Sequence, residues 1–236
     1  MRGRIIIIAL TLAAGAMLSS CGVTRRFPEG SYMLKRNVIK ADRHTPRRER
    51  ITATELDRYV LPSTNHHFLG TNLYPWLWAQ ADPEKQTGWH NFLRGAGEQP
   101  IVWNPAITAR SVDNLQTYIA LRGFFSGTID ARVDTLRRKK VSVTYRVTQG
   151  PPSHIGRITR TFRDTTLRDV VMADSIHTLL HTGDIFDTGV MDDERSRITS
   201  LLRDRGYYNF NVGHITYIAD STGSATRNRT IDIDMT

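Results

Sequence analysis

The sequence predicts an α+β protein built from two tandem β-α-α-β-β units, each a three-stranded sheet covered by two helices. Three observations predict it. First, the chain repeats at an offset of 83 residues: Arg122-Gly123-Phe124-Phe125 is matched by Arg205-Gly206-Tyr207-Tyr208, Leu115 by Ile198 and Ile119 by Leu202. Second, apolar residues ahead of each glycine fall at helical spacing: Val112, Leu115 and Ile119, then Ile198, Leu201 and Leu202. Third, Val141 to Val147 alternates apolar and polar residues, the pattern of a half-buried strand. Three strands leave one apolar face, and two helices suffice to cover it.

Residues 1–20 read as a secretory leader. Arg2 and Arg4 make a cationic start, Ile5 to Leu18 is apolar, and small residues precede Cys21. The apolar run is shorter than the ~20 residues a membrane-spanning helix needs. Cys21 is the only cysteine in the chain, so it has no intramolecular disulfide partner. Residues 21–30 read as a short basic tether.

The first unit is expected at 31–150. Tyr32 to Lys40 reads as its first strand. Thr52-Ala53-Thr54-Glu55 has the form of a capping box for a short helix that Pro62 stops. Residues 66–100 hold Trp76, Trp78 and Trp89 among glycines and prolines, and read as an ordered insertion with short helices. Asn104-Pro105 opens the next helix, with asparagine as cap and proline at the first helical position, and Gly123 closes it. Phe125–Val133 and Val141–Val147 then read as strands around the basic hairpin tip Arg137-Arg138-Lys139-Lys140.

Gly150-Pro151-Pro152 reads as a linker, and the second unit is expected at 151–236. Its expected elements are a strand over 155–162, a helix over 167–180 and a helix from about Val190 to Arg205. A strand over 211–219, a polar turn at 221–229 and a final strand from Thr230 follow.

The net charge is +9, from 32 basic and 23 acidic residues. Such a balance favours anionic partners. Secretion sets nucleic acid aside, which leaves the headgroups of a membrane.

Leu18-Ser19-Ser20-Cys21 resembles a bacterial lipobox, which implies cleavage before Cys21 and a covalent lipid on its sulfur. A β-α-α-β-β unit whose second helix ends in Gly-aromatic-aromatic resembles a POTRA domain. Two in tandem behind a lipobox resemble the periplasmic region of the BamA/TamA family of outer-membrane assembly proteins, and more closely the lipoprotein variant of its translocation and assembly subunit. Leu201 to Phe210 carries most of that likeness, joined by Trp89-His90-Asn91-Phe92-Leu93-Arg94 and Gly97-Glu98-Gln99-Pro100. Members of that family continue into a membrane barrel, so the resemblance implies that this chain is part of a longer protein. It also implies a non-enzymatic module, held by Cys21 at the periplasmic face of the outer membrane, whose partners are outer-membrane protein clients or assembly subunits. An alternative is a free-standing outer-membrane lipoprotein that binds a ligand or carbohydrate at the tryptophan insertion.

The expected partner-binding residues lie on strand edges, where unpaired N–H and C=O groups can add an extended peptide. By resemblance, the strand after the second helix is the edge. This selects Thr128, Asp130 and Arg132 in the first unit, and Val212, His214 and Thr216 in the second. No enzyme motif stands out, and no cofactor is expected apart from the lipid. His177 and His181, four apart on the expected helix, read as surface histidines rather than as a metal pair. Asp192-Asp193-Glu194 reads as acidic residues in a helix's first turn, favourable at its positive end.

Overall fold

The computed structural model describes residues 23–24, 27–42, 45–66, 68, 71–82 and 84–220, and the main chain of 230–235. Cys21, the leader and the turn expected at 221–229 lie outside these residues. In chain order the elements are β1 (Met33–Ala41), α1 (Ala53–Asp57), α2 (Leu73–Gln80), α3 (Gly88–Ala96), α4 (Pro105–Leu121), β2 (Thr128–Leu136), β3 (Lys140–Thr148), β4 (His154–Arg160), α5 (Thr165–Ala173), α6 (Thr188–Asp204), β5 (Tyr217–Asp220) and β6 (Thr230–Met235). Short 3-10 turns stand at Ser175–His177 and Val212–His214.

Contacts gather these elements into two compact units. The first comprises the described residues up to Lys40, with Ala53–Asn114 and Ile129–Arg146. The second comprises Ala41–Thr52, Leu115–Thr128 and the chain from Val147 onward.

The α+β expectation holds, because each sheet has three strands and the same order. The first runs β1-β3-β2 and the second β4-β6-β5, so the last strand of each repeat is central. In the first sheet the central strand carries the burial: Val141, Val143, Tyr145 and Val147 are each nearly inaccessible. In the second, β6 runs parallel to β4, with Ile155 opposite Ile231, and antiparallel to β5, with Tyr217 opposite Met235.

The 83-residue repeat extends further than the sequence pattern showed. Val102 forms an isolated antiparallel bridge to Met33, and Ile185, 83 residues later, bridges His154. Around each bridge the main chain repeats its bonds: Leu34 N donates to Ile101 O (2.8 Å) and Trp103 N to Tyr32 O (2.8 Å). In the second unit Ile155 N donates to Asp184 O (2.7 Å) and Phe186 N to Ser153 O (2.9 Å). The next residue in each repeat caps a helix. Asn104 Oδ1 accepts from Ala106 N, and Asp187 Oδ1 from Gly189 N.

The insertion has the helices expected of it, α2 and α3. Its two ends are joined by the buried Asn65, whose amide donates to Gln99 O (2.9 Å) and whose Oδ1 accepts from Ile101 N (3.1 Å). The chain therefore enters and leaves the insertion at one place.

Within the stretch read as a tether, two residues are fastened. Val23 and Thr24 are buried, and Thr24 Oγ1 donates to Arg138 O (2.9 Å).

Several element boundaries differ from the sequence reading. The strand expected at Phe125 begins at Thr128, because Phe124 to Gly127 closes a turn with Gly127 N bonded to Phe124 O. The helix expected over 167–180 ends at Ala173. The Leu179 N–H, which a continuing helix would turn back on itself, donates instead to Glu194 (3.0 Å). The helix expected from Val190 begins at Thr188, so Asp192, Asp193 and Glu194 lie beyond its first turn.

Candidate peptide-binding site

β2 is an outer strand of its sheet and is nine residues long. Thr128, Asp130 and Arg132 are all exposed on it, alternating with the half-buried Ile129 and Ala131. Alternation is what a pleated strand requires when one face is covered. Arg132 Nε is bonded to Asp134 Oδ1 at 2.9 Å along the same face. The structure thus brings the three residues expected of the first unit together on one edge.

The second unit differs. Val212 and His214 lie in a 3-10 turn rather than in a strand, and Thr216 precedes β5 by one residue. The reason is local. Asn211 Oδ1 accepts from Gly213 N (2.9 Å) and His214 Nδ1 accepts from Asn211 N (3.2 Å), so side chains take bonds that a ladder would have used. The His214 ring also rests on Phe210, with centroids 5.1 Å apart. The true edge strand, β5, has four residues. Short edges are one way in which sheets resist unwanted pairing.

His214 and Thr216 instead meet on the wall of a groove of about 530 Å³. Phe162, Leu167, Val171, Phe210 and Ile215 give it an apolar lining, and Arg163 and Asp164 stand among them. Its volume is of the order found for sites that hold small ligands or a few side chains. The sequence reading missed Phe162, Leu167 and Phe210, since each looked like an ordinary core position of its own element.

The same unit holds a buried ionic cluster. Glu194 is 1% exposed. It accepts two bonds from the Arg197 guanidinium (2.8 and 2.9 Å), one from Thr178 Oγ1 (2.8 Å) and one from Leu179 N (3.0 Å). Arg197 also meets Asp174, which holds His177 at 2.8 Å. Burial pushes the Glu194 carboxyl up, but Arg197 and the two other donors outweigh it and hold it below its ordinary value. Every acceptor position of the carboxylate is used, which marks a structural pair rather than a reacting acid. Tyr217, beside it, is pushed up to about 12, chiefly by burial.

His177 sits in a 3-10 turn against Asp174, and His181 pairs with Asp184 at 3.3 Å. Among the described residues no group of three or more metal-ligating side chains occurs. No described helix is long and apolar enough to cross a membrane. In the insertion, Trp76 and Trp78 are half-buried, as is Trp103, whose Nε1 donates to Thr108 (2.9 Å). Trp89 is 65% exposed and stacks on Phe92 with ring centroids 5.7 Å apart.

Residues 155–236 match the family model described as POTRA, surface antigen variable number repeat. The second repeat is thus similar to a POTRA domain. The match covers about a third of the chain, from β4 through β6. The first repeat has the same sheet order and the same bridge before its second helix, and so shares the POTRA-like fold. No curated protein matches the chain. Among solved structures, the chain is similar to POTRA domains 3–5 of BamA from Haemophilus influenzae, at 12% identity over 89% of this chain and 98% of that one, with a TM-score of 0.32. It is similar to POTRA domains 1–3 of Omp85 from Anabaena, at 10% identity over 88% and 62%, with a TM-score of 0.37. It is also similar to CdiB from Escherichia coli, at 11% identity over 100% of this chain and 34% of that one, with a TM-score of 0.29. The chain thus spans about a third of CdiB.

Proposed function

We propose that the chain is the periplasmic peptide-handling part of an outer-membrane protein assembly or translocation factor. It binds extended segments of client proteins or accessory subunits by adding them as strands. The single observation that carries this reading is β2, a nine-residue outer strand with Thr128, Asp130 and Arg132 exposed along it. Main-chain pairing accepts many client sequences, which suits a factor that handles unfolded chains. In the second unit the groove beside His214 and Thr216, rather than the short β5, offers the apolar surface. The module acts by binding and is not an enzyme. Cys21 carries the lipid and holds the chain at the periplasmic face of the outer membrane.

Proline placed singly at Asp130 and at Ala131 tests the edge. Neighbouring strand residues point their N–H groups to opposite sides, so one proline strikes the sheet interior and the other only the open side. The variant that keeps its melting temperature is expected to lose binding of a labelled, unfolded outer-membrane strand peptide, read by fluorescence anisotropy. Unchanged affinity in that variant would exclude strand addition at β2. Loss of palmitate label in Cys21→Ala is the expected result for the anchor.

A second reading has one observation in its favour. The exposed, stacked Trp89 and Phe92 form a flat aromatic surface on the insertion, as a carbohydrate platform would. Glycan-array binding that vanishes in Trp89→Ala would favour a free-standing binding lipoprotein.

A further inference from the structure

The tip of the β2–β3 hairpin breaks a local rule. Arg138 and Lys139 have φ of +65° and +48°, the left-handed region that side chains with a Cβ rarely adopt. A hairpin turn with two such residues ordinarily takes Asn-Gly. Here both positions, and Arg137 before them, hold exposed cations. A broken turn rule of this kind points to a use for the side chains themselves.

The same tip holds the N-terminal segment. Thr24 Oγ1 donates to Arg138 O (2.9 Å), Lys139 Nζ donates to Phe27 O (3.2 Å) and Met33 N donates to Lys139 O (2.9 Å). Cys21 precedes the buried Val23 by two residues, a span of at most about 7 Å. A lipid on Cys21 is therefore tied close to three cations. In the sequence Arg25 and Arg26 add to them, and Glu29 is the one acid between Cys21 and Tyr32.

We propose that the tip Arg137-Arg138-Lys139 is a phospholipid-headgroup site, which sets three cations against the phosphates of the anionic membrane that the Cys21 acyl chains enter. The proposal deepens the anchoring half of the proposed function and rests on it for its orientation. Physically it adds a headgroup contact to the acyl anchor, since basic residues near a charged surface strengthen attachment to it.

The test uses the chain from residue 21 onward with Cys21→Ser, so that no acyl chain contributes. It is sedimented with vesicles of phosphatidylcholine containing phosphatidylglycerol, and with phosphatidylcholine alone. The expected result is preference for the anionic vesicles, with affinity falling about fivefold per cation removed, hence about 25-fold in R138N/K139G. These substitutions suit the turn, so a melting temperature at or above the parent's confirms that the fold is intact. Equal binding of parent and variant, equal binding to both vesicles, or no binding to either would overturn the proposal. The lipid reading fails separately: palmitate label undiminished in Cys21→Ala removes the acyl anchor and leaves the vesicle result to decide the tip.

Discussion

Gly123 and Gly206 hold the same turn 83 residues apart. Their φ angles are +84° and +99°, and each follows a helix whose closing bonds repeat: Phe124 N donates to Ile119 O as Tyr207 N donates to Leu202 O. Their surroundings differ. A Cβ on Gly206 would meet nothing within 4 Å, whereas one on Gly123 would lie 2.4 Å from Phe186 O. Gly206→Ala should therefore cost about 1 kcal/mol, the left-handed penalty alone. Gly123→Ala should cost about 1–3 kcal/mol more, since backbone must shift. Urea unfolding of the two variants measures the gap, and equal midpoints would contradict it.

Glu194 makes the second unit acid-sensitive. Its carboxyl titrates below its ordinary value when folded, so the stability it contributes is present above the unfolded value near 4.5 and is lost as pH falls through the lowered folded value. The melting temperature should drop below about pH 4.5 with a steeper slope in the parent than in Glu194→Gln. At neutral pH that substitution should cost about 2–4 kcal/mol, because Arg197 loses its bidentate partner while keeping Asp174.

The helices, the repeat and the central strands were legible because each rests on periodicity or on a glycine that local geometry demands. Leu115, Ile119, Ile198 and Leu202 are all buried, as their spacing required. What was not legible came from partners distant in sequence. Beyond the end of α5, Glu194 takes the Leu179 N–H that a longer helix would have used, and nothing between residues 167 and 180 announces it. The bridges at Val102 and Ile185 are single residues without a period of their own. In the candidate site the β2 residues came from the resemblance, which puts the strand after the second helix at the sheet's edge. The strand expected over 211–219 failed because Asn211 and His214 bond to nearby main chain, a competition that apolar patterning does not register.

Asn211→Ala tests that competition directly. Removing the cap should destabilise the 3-10 turn by about 1 kcal/mol. Faster amide exchange at Gly213 is the expected readout, with Ile198 and Leu202 in α6 unaffected.

The hairpin tip should gain from losing its own side chains. Lys139→Gly relieves a left-handed Cβ and is expected to raise stability by about 1 kcal/mol, seen as a higher melting temperature. A lower one would mean that the Lys139 bond to Phe27 outweighs the backbone strain.

The bridges before α4 and α6 give each sheet a handed vacancy. At the first strand's flank, the opening hydrogen-bonding positions are already taken by the chain itself, so a strand arriving there finds its start occupied. In the first sheet β2 is the other flank, the one to which the strand addition proposed above is assigned. On that reading the template extends in one direction only, so a guest adds without copies of the sheet stacking from both sides.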